Sequence, residues 1–287
     1  MKKEITIPKI YGLIGYPLSN SLSPAMQNAA FKKCKINAAY FLFEKSETAF
    51  AQAVKQLKLM QVAGFNVTVP YKEKIIPYLD TLDPQAKKIG AVNTVLNQKG
   101  RFIGYNTDAP GFIQSLKSEL RFEPKGKNIF ILGAGGAARA IGFALAGEKA
   151  RSLAFYDIYK ERSEKLASDI AKHFPVCPVT VVSSMGGYSL SAIDLLVNAS
   201  SSGMKKNDPL PISPSVLPKT VVVYDIIYNP SPTRLIKAAR AKGIRGNNGL
   251  GMLLHQGRLA FEIWTHTKAP LVVMRRALIK ALYGKSH

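Results

Sequence analysis

The sequence predicts an α/β fold in two domains, and three observations support this prediction. Strand-like runs alternate with helix-like runs along nearly the whole chain, which is typical of parallel sheets built from β-α-β units. The chain has 287 residues, more than one ordinary hydrophobic core accommodates. A polar segment with Pro and Gly, "RFEPKGKN", separates two such series of runs. We therefore place the domain boundary near Asp108, in the stretch from Asp108 to Lys125.

The first predicted domain covers residues 1–108. Its strand "KIYGLIGY" leads into the helix "SPAMQNAAFKKC", where Ser23 is expected as the N-cap and Pro24 as the first helical residue. The strand "AYFLFE" and the amphipathic helix "ETAFAQAVKQLK" follow. A strand that ends at Val69 and a hairpin turned at Gln98 to Gly100, "AVNTVLNQKGRFIGYN", complete this domain.

The second predicted domain covers residues 109–245 and opens with the helix "APGFIQSLKSEL". Its strands are "NIFILGA", "SLAFYD", "DLLVNAS" and "TVVVYDI", separated by helices such as "KERSEKLASDIAKHF" and "SPTRLIKAARAKG". Over residues 246–287 the pattern changes to two helices, "GLGMLLHQGRLAFEIWT" and "PLVVMRRALIKALYG", with no strand between them. This tail is therefore treated as a third segment.

The composition is that of a globular protein, with 47% hydrophobic and 20% charged residues. The N-terminus has no apolar run of signal-peptide length, and the most apolar segment, "IFILGAGGAARAIGFALAG", contains Arg139 and a cluster of glycines. We therefore expect a cytoplasmic protein without a membrane span. Cys34 and Cys177 lie outside any CxxC or Cys/His cluster, so neither a disulfide framework nor a metal site is expected.

The formal net charge of +22 is the strongest signal in the composition, and by itself it would suggest a nucleic-acid partner. The basic residues, however, come in scattered pairs such as Lys32-Lys33 and Arg275-Arg276, never as a block interleaved with aromatic residues. This distribution favours a basic solvated surface that also attracts anionic small molecules. We therefore expect a small-molecule substrate and no nucleic-acid partner.

The stretch "ILGAGGAARA" fits the pattern G-x-G-x-x-A, directly after a strand and at the start of a helix. Gly133 permits the tight turn, Gly135 lets the backbone approach a pyrophosphate, and Ala138 allows the helix to pack closely on the strand. The helix N-terminus offers unpaired N–H groups and a partial positive charge to the phosphates. This context predicts a Rossmann-like dinucleotide-binding domain; the alternative is a glycine-rich packing turn. The candidate cofactor-binding residues of the turn are Gly133, Ala134, Gly135, Gly136 and Ala137.

Asp157 ends the strand "SLAFYD", about twenty positions beyond the start of this turn. A carboxylate there can accept hydrogen bonds from both hydroxyls of the adenosine ribose and repels a 2′-phosphate, which favours NAD over NADP as the cofactor. Asp157 could instead be the N-cap of the helix that follows, and the two roles can coexist.

A dinucleotide domain indicates hydride transfer, and hydride transfer to a ketone needs a proton donor for the developing alkoxide. Lys72, in "FNVTVPYKEK", directly follows a strand and Pro70 and is a candidate for this role. Asp108, in "YNTD", is its candidate partner. The alternatives are a solvated surface charge for Lys72 and a helix cap for Asp108.

Seven segments together resemble the shikimate dehydrogenases, in the right order and over essentially the whole chain: "GLIGYPLSNSLSPAMQNAAF", "NVTVPYKEK", "AVNT", "YNTD", "GAGGAAR", "VYDIIYNP" and "GLGMLLHQGRLAFEIW". The resemblance implies reversible reduction of 3-dehydroshikimate to shikimate by a nicotinamide cofactor, in the route to aromatic amino acids. It also implies an N-terminal substrate-binding catalytic domain, an active site in the interdomain cleft, and C-terminal helices that pack back on the substrate domain. By matching position, Lys72 and Asp108 are the catalytic pair.

The resemblance assigns further residues by matching position. Ser21 and Ser23 match the two serines that hold the substrate carboxylate, for which two hydroxyls are well suited. Tyr228 matches a position near that carboxylate. The positions that bind the ring hydroxyls are matched by Asn66, Thr68, Asn93, Asp108 and Gln256. The positions that line the nicotinamide are matched by Ser200, Gly203, Ile226 and Gly249.

One segment departs from the pattern of family members that use NADP. Those members usually carry Asn-Arg-Thr after the second strand of the dinucleotide domain, where the arginine grips the 2′-phosphate, whereas Asp157, Ile158 and Tyr159 stand here. Because this clamp is missing, the chain resembles the NAD-preferring branch, some of whose members also oxidise quinate. Arg162 is expected over the adenine as a cation–π partner, and Lys160 leaves residual use of NADP open.

Two alternatives remain at the level of the sequence. One is a quinate/shikimate dehydrogenase that works oxidatively with NAD, although Ser23 in place of a bulkier threonine favours shikimate. The other is a non-catalytic NAD-binding or nucleic-acid-binding protein, suggested by the net charge, against which the presence of both Lys72 and Asp108 argues. The sequence leaves open whether the protein is a monomer or a homodimer.

Overall fold

The computed structural model describes residues 7–205 and 207–284. Within these ranges the chain forms two compact units. The first unit ends at Thr107 and resumes at Gln256, and the second is Asp108–His255. The second change of unit therefore falls inside a helix, at 255/256 and not at 245/246, where the sequence pattern changes.

The first unit contains a six-stranded mixed sheet in the order β2-β1-β3-β5-β6-β4. Strand β1 pairs in parallel with β2 and β3, whereas β5 is antiparallel to both β3 and β6. The expected parallel sheet is therefore correct for only part of this unit, because the hairpin reverses the strand direction. The strands are β1 (Lys9–Gly15), β2 (Ala38–Glu44), β3 (Gly64–Val67), β4 (Thr81–Leu82), β5 (Thr94–Gln98) and β6 (Arg101–Tyr105).

The helices of the first unit cover its sheet and fill its core. Phe50 of the second helix stacks on Tyr71 with ring centroids 4.0 Å apart, and both side chains are buried with Phe65 of β3. Near the C-terminus, the Trp264 indole donates to the carbonyl of Val95 over 2.9 Å. The helices are α1 (Ser23–Lys33), α2 (Glu47–Leu59), α3 (Pro84–Ile89) and α9 (Leu271–Tyr283).

The second unit contains a six-stranded sheet in the order β12-β11-β10-β7-β8-β9, and every pair is parallel. This is the doubly wound Rossmann order, with the strand order reversing between β7 and β10, where such sheets bind ligands. The predicted Rossmann-like fold is confirmed.

The strands of the second unit are β7 (Asn128–Leu132), β8 (Ser152–Tyr156), β9 (Val179–Val181), β10 (Leu195–Asn198), β11 (Val222–Asp225) and β12 (Arg245–Asn248). The helices are α4 (Asp108–Leu120), α5 (Gly136–Gly147), α6 (Lys160–His173) and α7 (Arg234–Ala241), and α8 (Leu250–Thr265) runs on into the first unit.

Two local expectations are wrong. The N-cap of α1 is Leu22, without a side-chain cap bond, so Ser23 is the first helical residue and not the cap. Strand β12 was missed, and residues 246–248 were assigned to the C-terminal segment of two helices. Its sequence "RGNN" carries no apolar residue that would mark a strand.

Over residues 7–205 and 207–284, no helix is long and apolar enough to cross a membrane. The same described residues hold no group of three or more His, Cys, Asp or Glu side chains that could bind a metal ion.

Candidate active site

The glycine-rich turn joins β7 to α5 at the point where the strand order of the parallel sheet reverses. Gly133 has a φ of +100°, a conformation that L side chains rarely adopt, and a Cβ there would lie 2.8 Å from the carbonyl oxygen of Ala199. The Gly133 N–H donates to the carbonyl of Tyr156 over 2.7 Å. The turn is therefore held against the ends of both neighbouring strands, and only glycine fits its first position.

Gly135 is the N-cap residue of α5 and has a different reason to be glycine. Its φ is −79°, which any residue adopts, and no atom of the described residues, its two chain neighbours aside, lies within 4 Å of the position a Cβ would take. The residues of this turn therefore fit a dinucleotide, because open space adjoins the backbone where the pyrophosphate would approach. The N–H groups at the start of α5, which begins at Gly136 and continues with Ala137, are available to such an anion.

A substitution tests this assignment without altering the turn. In Gly135→Ala, we expect an unchanged melting temperature, because both φ and the space around the Cβ accommodate alanine. The methyl group would meet the bound pyrophosphate, so the dissociation constant for NAD is expected to rise by roughly 10- to 100-fold. Fluorescence titration measures the affinity. Gly133→Ala is the contrasting variant. Backbone strain there should lower the free energy of unfolding by about 1–3 kcal/mol. Unchanged NAD affinity in Gly135→Ala would contradict the assignment.

Asp157 lies directly after β8, half-buried, and its carboxylate faces this turn. One carboxylate oxygen accepts from the N–H of Ala134 over 2.7 Å, and the other accepts from the N–H of Tyr159 over 2.9 Å. Helix α6 begins at Lys160 with Tyr159 as its N-cap, so the alternative role of Asp157 as N-cap is wrong. Each carboxylate oxygen has a further lone pair, which leaves acceptor capacity for ribose hydroxyls.

The two basic residues near Asp157 are engaged within the second unit. The Arg162 guanidinium carbon lies 4.4 Å from the ring centroid of Tyr159, and the Lys160 ammonium pairs with the Glu164 carboxylate over 2.8 Å. Arg162 therefore has a cation–π partner of the protein's own, and the expected contact with adenine would add to it.

A buried hydrogen-bond network joins the strand ends on the other side of the turn. The Asn198 side-chain amide donates to Asp225 over 2.9 Å, and its oxygen accepts from the Ser200 hydroxyl over 2.7 Å. The Thr233 hydroxyl donates to the other Asp225 oxygen over 2.7 Å. Burial raises the pKa of Asp225 to about 6, against the lowering effect of its hydrogen bonds with Thr233, the Ile227 N–H and Asn198. Sequence reasoning missed Asn198 and Asp225, which lie inside strands that read as ordinary core.

The four residues matched to the nicotinamide side lie at the ends of β10, β11 and β12. Ile226 and Gly249 are in direct contact, since a Cβ on Gly249 would overlap the Ile226 carbonyl oxygen. The Ile226 N–H donates to the carbonyl of Asn198 over 3.0 Å, which brings it to the strand end that carries Ser200. Gly203 follows in the loop after Ser200 with a φ of +101°. Tyr228 lies in the loop after β11, half-buried.

In the first unit, a network of buried amides and hydroxyls brings together Asn66, Asn93 and Gln256. The Asn66 amide donates to the carbonyl of Asn93 and to the Thr94 hydroxyl, both over 3.0 Å. The Asn93 amide donates to the Thr107 hydroxyl over 2.9 Å and to the Gln256 side-chain oxygen over 3.4 Å. The direction of each amide is thereby fixed. Sequence reasoning gave no role to Thr94 or Thr107, although they belong to the quoted segments "AVNT" and "YNTD".

Lys72 lies on a firmly held segment of the same unit. Its flanking residues Tyr71 and Ile75 are buried, and the Tyr71 hydroxyl donates to the carbonyl of Lys45 over 2.6 Å. The Lys72 carbonyl accepts from the N–H of Val92 over 2.8 Å, which places its backbone beside the strand that carries Asn93. Lys72 as a whole residue is half-buried.

The remaining candidate residues lie near the start of α1, after β3 and at the start of α4. The Ser23 N–H donates to the Ser21 hydroxyl over 3.3 Å, so the two serines are adjacent at the start of α1. Thr68 follows β3, and its N–H donates to the carbonyl of Ile14 over 2.9 Å. Asp108 is the first residue of α4, in the second unit, and is 5% exposed.

Two family models match the chain, "Shikimate dehydrogenase substrate binding domain" over residues 13–95 and "Shikimate 5'-dehydrogenase C-terminal domain" over residues 249–279. A shikimate dehydrogenase (NADP(+)) of Carboxydothermus hydrogenoformans is 44% identical over 275 residues, which cover 94% of this chain and 96% of that protein. The solved structure of Listeria monocytogenes shikimate 5-dehydrogenase with shikimate and NAD is 34% identical, with a TM-score of 0.85 over 97% of this chain and 99% of that one. Quinate dehydrogenase of Corynebacterium glutamicum with NAD is 30% identical, with a TM-score of 0.87 over 96% of this chain and 100% of that one.

The Rossmann sheet with its glycine-rich turn defines a dinucleotide-binding protein, and full-length curated relatives that are shikimate dehydrogenases make it a nicotinamide-dependent oxidoreductase. The identity of 44% over nearly the full length of both chains is far beyond a shared fold. The chain belongs to the shikimate dehydrogenase family.

Proposed function

We propose that the chain transfers a hydride reversibly between shikimate and a nicotinamide cofactor, giving 3-dehydroshikimate, and that it prefers NAD to NADP. The observation that carries this proposal is the buried network of Asn66, Asn93 and Gln256, with the segment of Lys72 beside it. Amides offer both donors and acceptors, which suits a ring that bears several hydroxyls. A site built to hydrogen-bond hydroxyls also rejects substrates that lack them, because its own buried polar groups are then left unpaired.

Each side chain has a distinct role in this proposal. The ring hydroxyls are bound by the two asparagines, Gln256 and Thr68. The substrate carboxylate is held by the hydroxyls of Ser21 and Ser23, which are adjacent at the start of α1. Tyr228 approaches the same carboxylate.

The chemical step needs a proton donor and an oriented substrate. When bound, the nicotinamide cofactor supplies the hydride that reduces the ring ketone. Lys72 donates a proton to the oxygen of that ketone, and in the oxidative direction it takes the proton back. Asp108 orients the substrate by accepting a hydrogen bond from one of its hydroxyls.

The preference for NAD rests on Asp157. Its carboxylate stands beside the glycine-rich turn, where it repels a 2′-phosphate, and Lys160 and Arg162 are engaged with Glu164 and Tyr159. Curated relatives at 38–44% identity, the Carboxydothermus protein among them, bear NADP(+) in their names, and a Thermus thermophilus structure holds NADP(H). The Listeria and Corynebacterium structures hold NAD. The names of the curated relatives favour NADP, and the preference for NAD proposed here depends on the acidic residue after β8.

Initial rates of oxidation test the proposal directly. Shikimate and quinate are each supplied with NAD and with NADP, and reduced cofactor is followed by absorbance. We expect shikimate with NAD to have the highest kcat/KM of the four combinations. A higher kcat/KM with quinate would identify the protein as a quinate/shikimate dehydrogenase. A higher kcat/KM with NADP would refute the role given to Asp157. No turnover in any combination would refute the proposed function.

The variant Asp157→Asn is the second arm of this experiment. It removes the repulsion of a 2′-phosphate and weakens the hydrogen bonds to ribose, so the ratio of kcat/KM for NAD to that for NADP should fall by roughly 10- to 100-fold. The ratio is the right measure, because the hydrogen bond from Ala134 is disturbed equally for both cofactors. Glu161→Gln, which removes a nearby negative charge in the first turn of α6, is the matched control.

A further inference from the structure

A chain of buried and partly buried hydrogen bonds in the second unit lies outside the groups described so far. The Tyr224 hydroxyl on β11 lies 2.7 Å from the Ser115 hydroxyl on α4. The Ser115 hydroxyl donates to the Glu119 carboxylate over 3.3 Å, and the Asn247 amide on β12 donates to the same carboxylate oxygen over 2.9 Å. The backbone N–H of Met252, in the first turn of α8, donates to the Tyr224 hydroxyl.

The direction of these bonds is set by the groups at their ends. An N–H can only donate and a carboxylate can only accept, so Tyr224 accepts from Met252 and donates to Ser115, which donates to Glu119. Tyr224 and Ser115 are both fully buried, and burial raises the pKa of the Tyr224 phenol above its usual range. The phenol therefore keeps its proton, and the chain of hydrogen bonds persists across the working pH range.

The packing around this chain is tight. A Cβ on Gly251 would lie 2.3 Å from both the Ser115 hydroxyl and the Glu119 carboxylate, so α8 starts in direct contact with α4. The Tyr224 ring packs edge-on against Phe112 of α4, with ring centroids 5.0 Å apart. Two helices are thus attached to the parallel sheet at a single tyrosine.

These two helices carry residues of the proposed site. Asp108 is the first residue of α4, about two helical turns before Ser115. Gln256 lies on α8, about one turn after Met252 and on the same helix face. A shift of α4 along or around its axis would move the Asp108 carboxylate, whereas the glycine-rich turn after β7 has no part in these bonds.

We propose that Tyr224 is a positioning residue for the reaction: its hydroxyl locks α4 and α8 to the parallel sheet and thereby holds Asp108 in the geometry that the chemical step requires. This inference rests on the proposed function, because Asp108 acts on the substrate only if that function is correct. It assigns Tyr224 no contact with substrate or cofactor.

The variant Tyr224→Phe removes the hydroxyl and retains the ring that packs on Phe112. We expect kcat to fall by roughly 10- to 100-fold, because misplacement of a catalytic group by about 1 Å can cost about 100-fold. The KM for NAD should remain unchanged, since the cofactor-binding turn is not involved. Ser115→Ala should act in the same direction, and Tyr188→Phe, which keeps its stack on Phe130, is the matched control in the same unit.

A double-mutant cycle separates positioning from a general loss of structure. If Tyr224 acts through Asp108, then Tyr224→Phe should change kcat less than twofold in an Asp108→Asn background. Effects that multiply in the double variant would overturn the proposal, as would a single variant with unchanged kcat.

Hydrogen exchange supplies a readout that does not depend on turnover. Amides of α4 and of the first turn of α8 should exchange about tenfold faster in Tyr224→Phe than in the wild type, with the amides of β7 and α5 unchanged. Unchanged exchange in α4 and α8 would overturn the inference even if the wild type oxidises shikimate. If the wild type does not oxidise shikimate, the proposed function is refuted, and the positioning role with it. Faster exchange in Tyr224→Phe would then still show that the Tyr224 hydroxyl holds α4 and α8 in place.

Discussion

Replacing Lys72 by alanine is expected to lower kcat for shikimate oxidation by about 10²- to 10⁴-fold, while the KM for shikimate changes little. A general acid–base group acts on the proton in the transition state, so its loss removes transition-state stabilisation and leaves ground-state binding by the amides intact. Lys72 as a whole residue is half-buried, and its backbone is fixed by the hydrogen bond from Val92, so the variant should fold normally. Steady-state kinetics over a range of shikimate concentrations give both constants.

Lys74→Ala is the matched control for this measurement. Lys74 lies two residues further along the same segment, is exposed, and forms an ion pair with Glu47 on the surface. Exposed ion pairs of this kind contribute about 0–1 kcal/mol to stability, so the variant should fold like the wild type. Its kcat should remain within twofold of the wild-type value. If Lys72→Ala retains near-normal kcat, or if both lysine variants lose activity equally, Lys72 is not the proton donor.

The parts of the fold that were predicted correctly have a strong local signal. The hairpin of β5 and β6 was marked by alternating apolar residues on either side of a Lys99-Gly100 turn, and both residues adopt positive φ. The turn at Gly133 was predicted for the same reason, since a strand, two glycines and a helix follow one another within a few residues. In each case the backbone conformation is decided by neighbours in the sequence.

The elements that were missed depend on residues distant in the chain. Strand β12 contains no apolar side chain, and the nearest one belongs to Ile244, which precedes it. The strand forms because it pairs in parallel with β11 from Val222 to Asp225. The change of unit at 255/256 lies inside α8, where helical periodicity continues without interruption. No local pattern marks either feature.

The same distinction holds for the candidate site. Asp157 was found by its spacing from the glycine-rich turn, but its bond to the Ala134 N–H, which ties the carboxylate to that turn, needs the structure. Thr107 and Asn198 were given no role because each is an ordinary polar residue until its hydrogen-bond partner is known. Residue spacing in the sequence does not reveal a role that one residue has through its contact with another.

Asp225 connects the stability of the second unit to pH. Its folded pKa of about 6 lies above the ordinary value of 3.8, because burial raises it more than hydrogen bonds from Thr233, the Ile227 N–H and Asn198 lower it. A raised carboxyl pKa means that the folded state binds the proton more tightly than the unfolded state. The stabilising contribution of the protonated carboxyl is therefore fully present below about pH 4 and is lost as the pH rises through about 6.

In the variant Asp225→Asn, the side chain at this position does not titrate. The free energy of unfolding of the variant minus that of the wild type should therefore increase as the pH rises from 4 to 7. The gain is at most about 3 kcal/mol, from a shift of about two pKa units. Urea unfolding of both proteins across this range measures it, and all other titrations cancel in the difference. Asp208→Asn should show the opposite sign, because the N–H groups of Lys205 and Gly203 lower the pKa of Asp208. Parallel curves for the wild type and Asp225→Asn would mean that Asp225 has the same pKa folded and unfolded, so that the hydrogen bonds it accepts at the ends of β10 and β11 fully offset its burial.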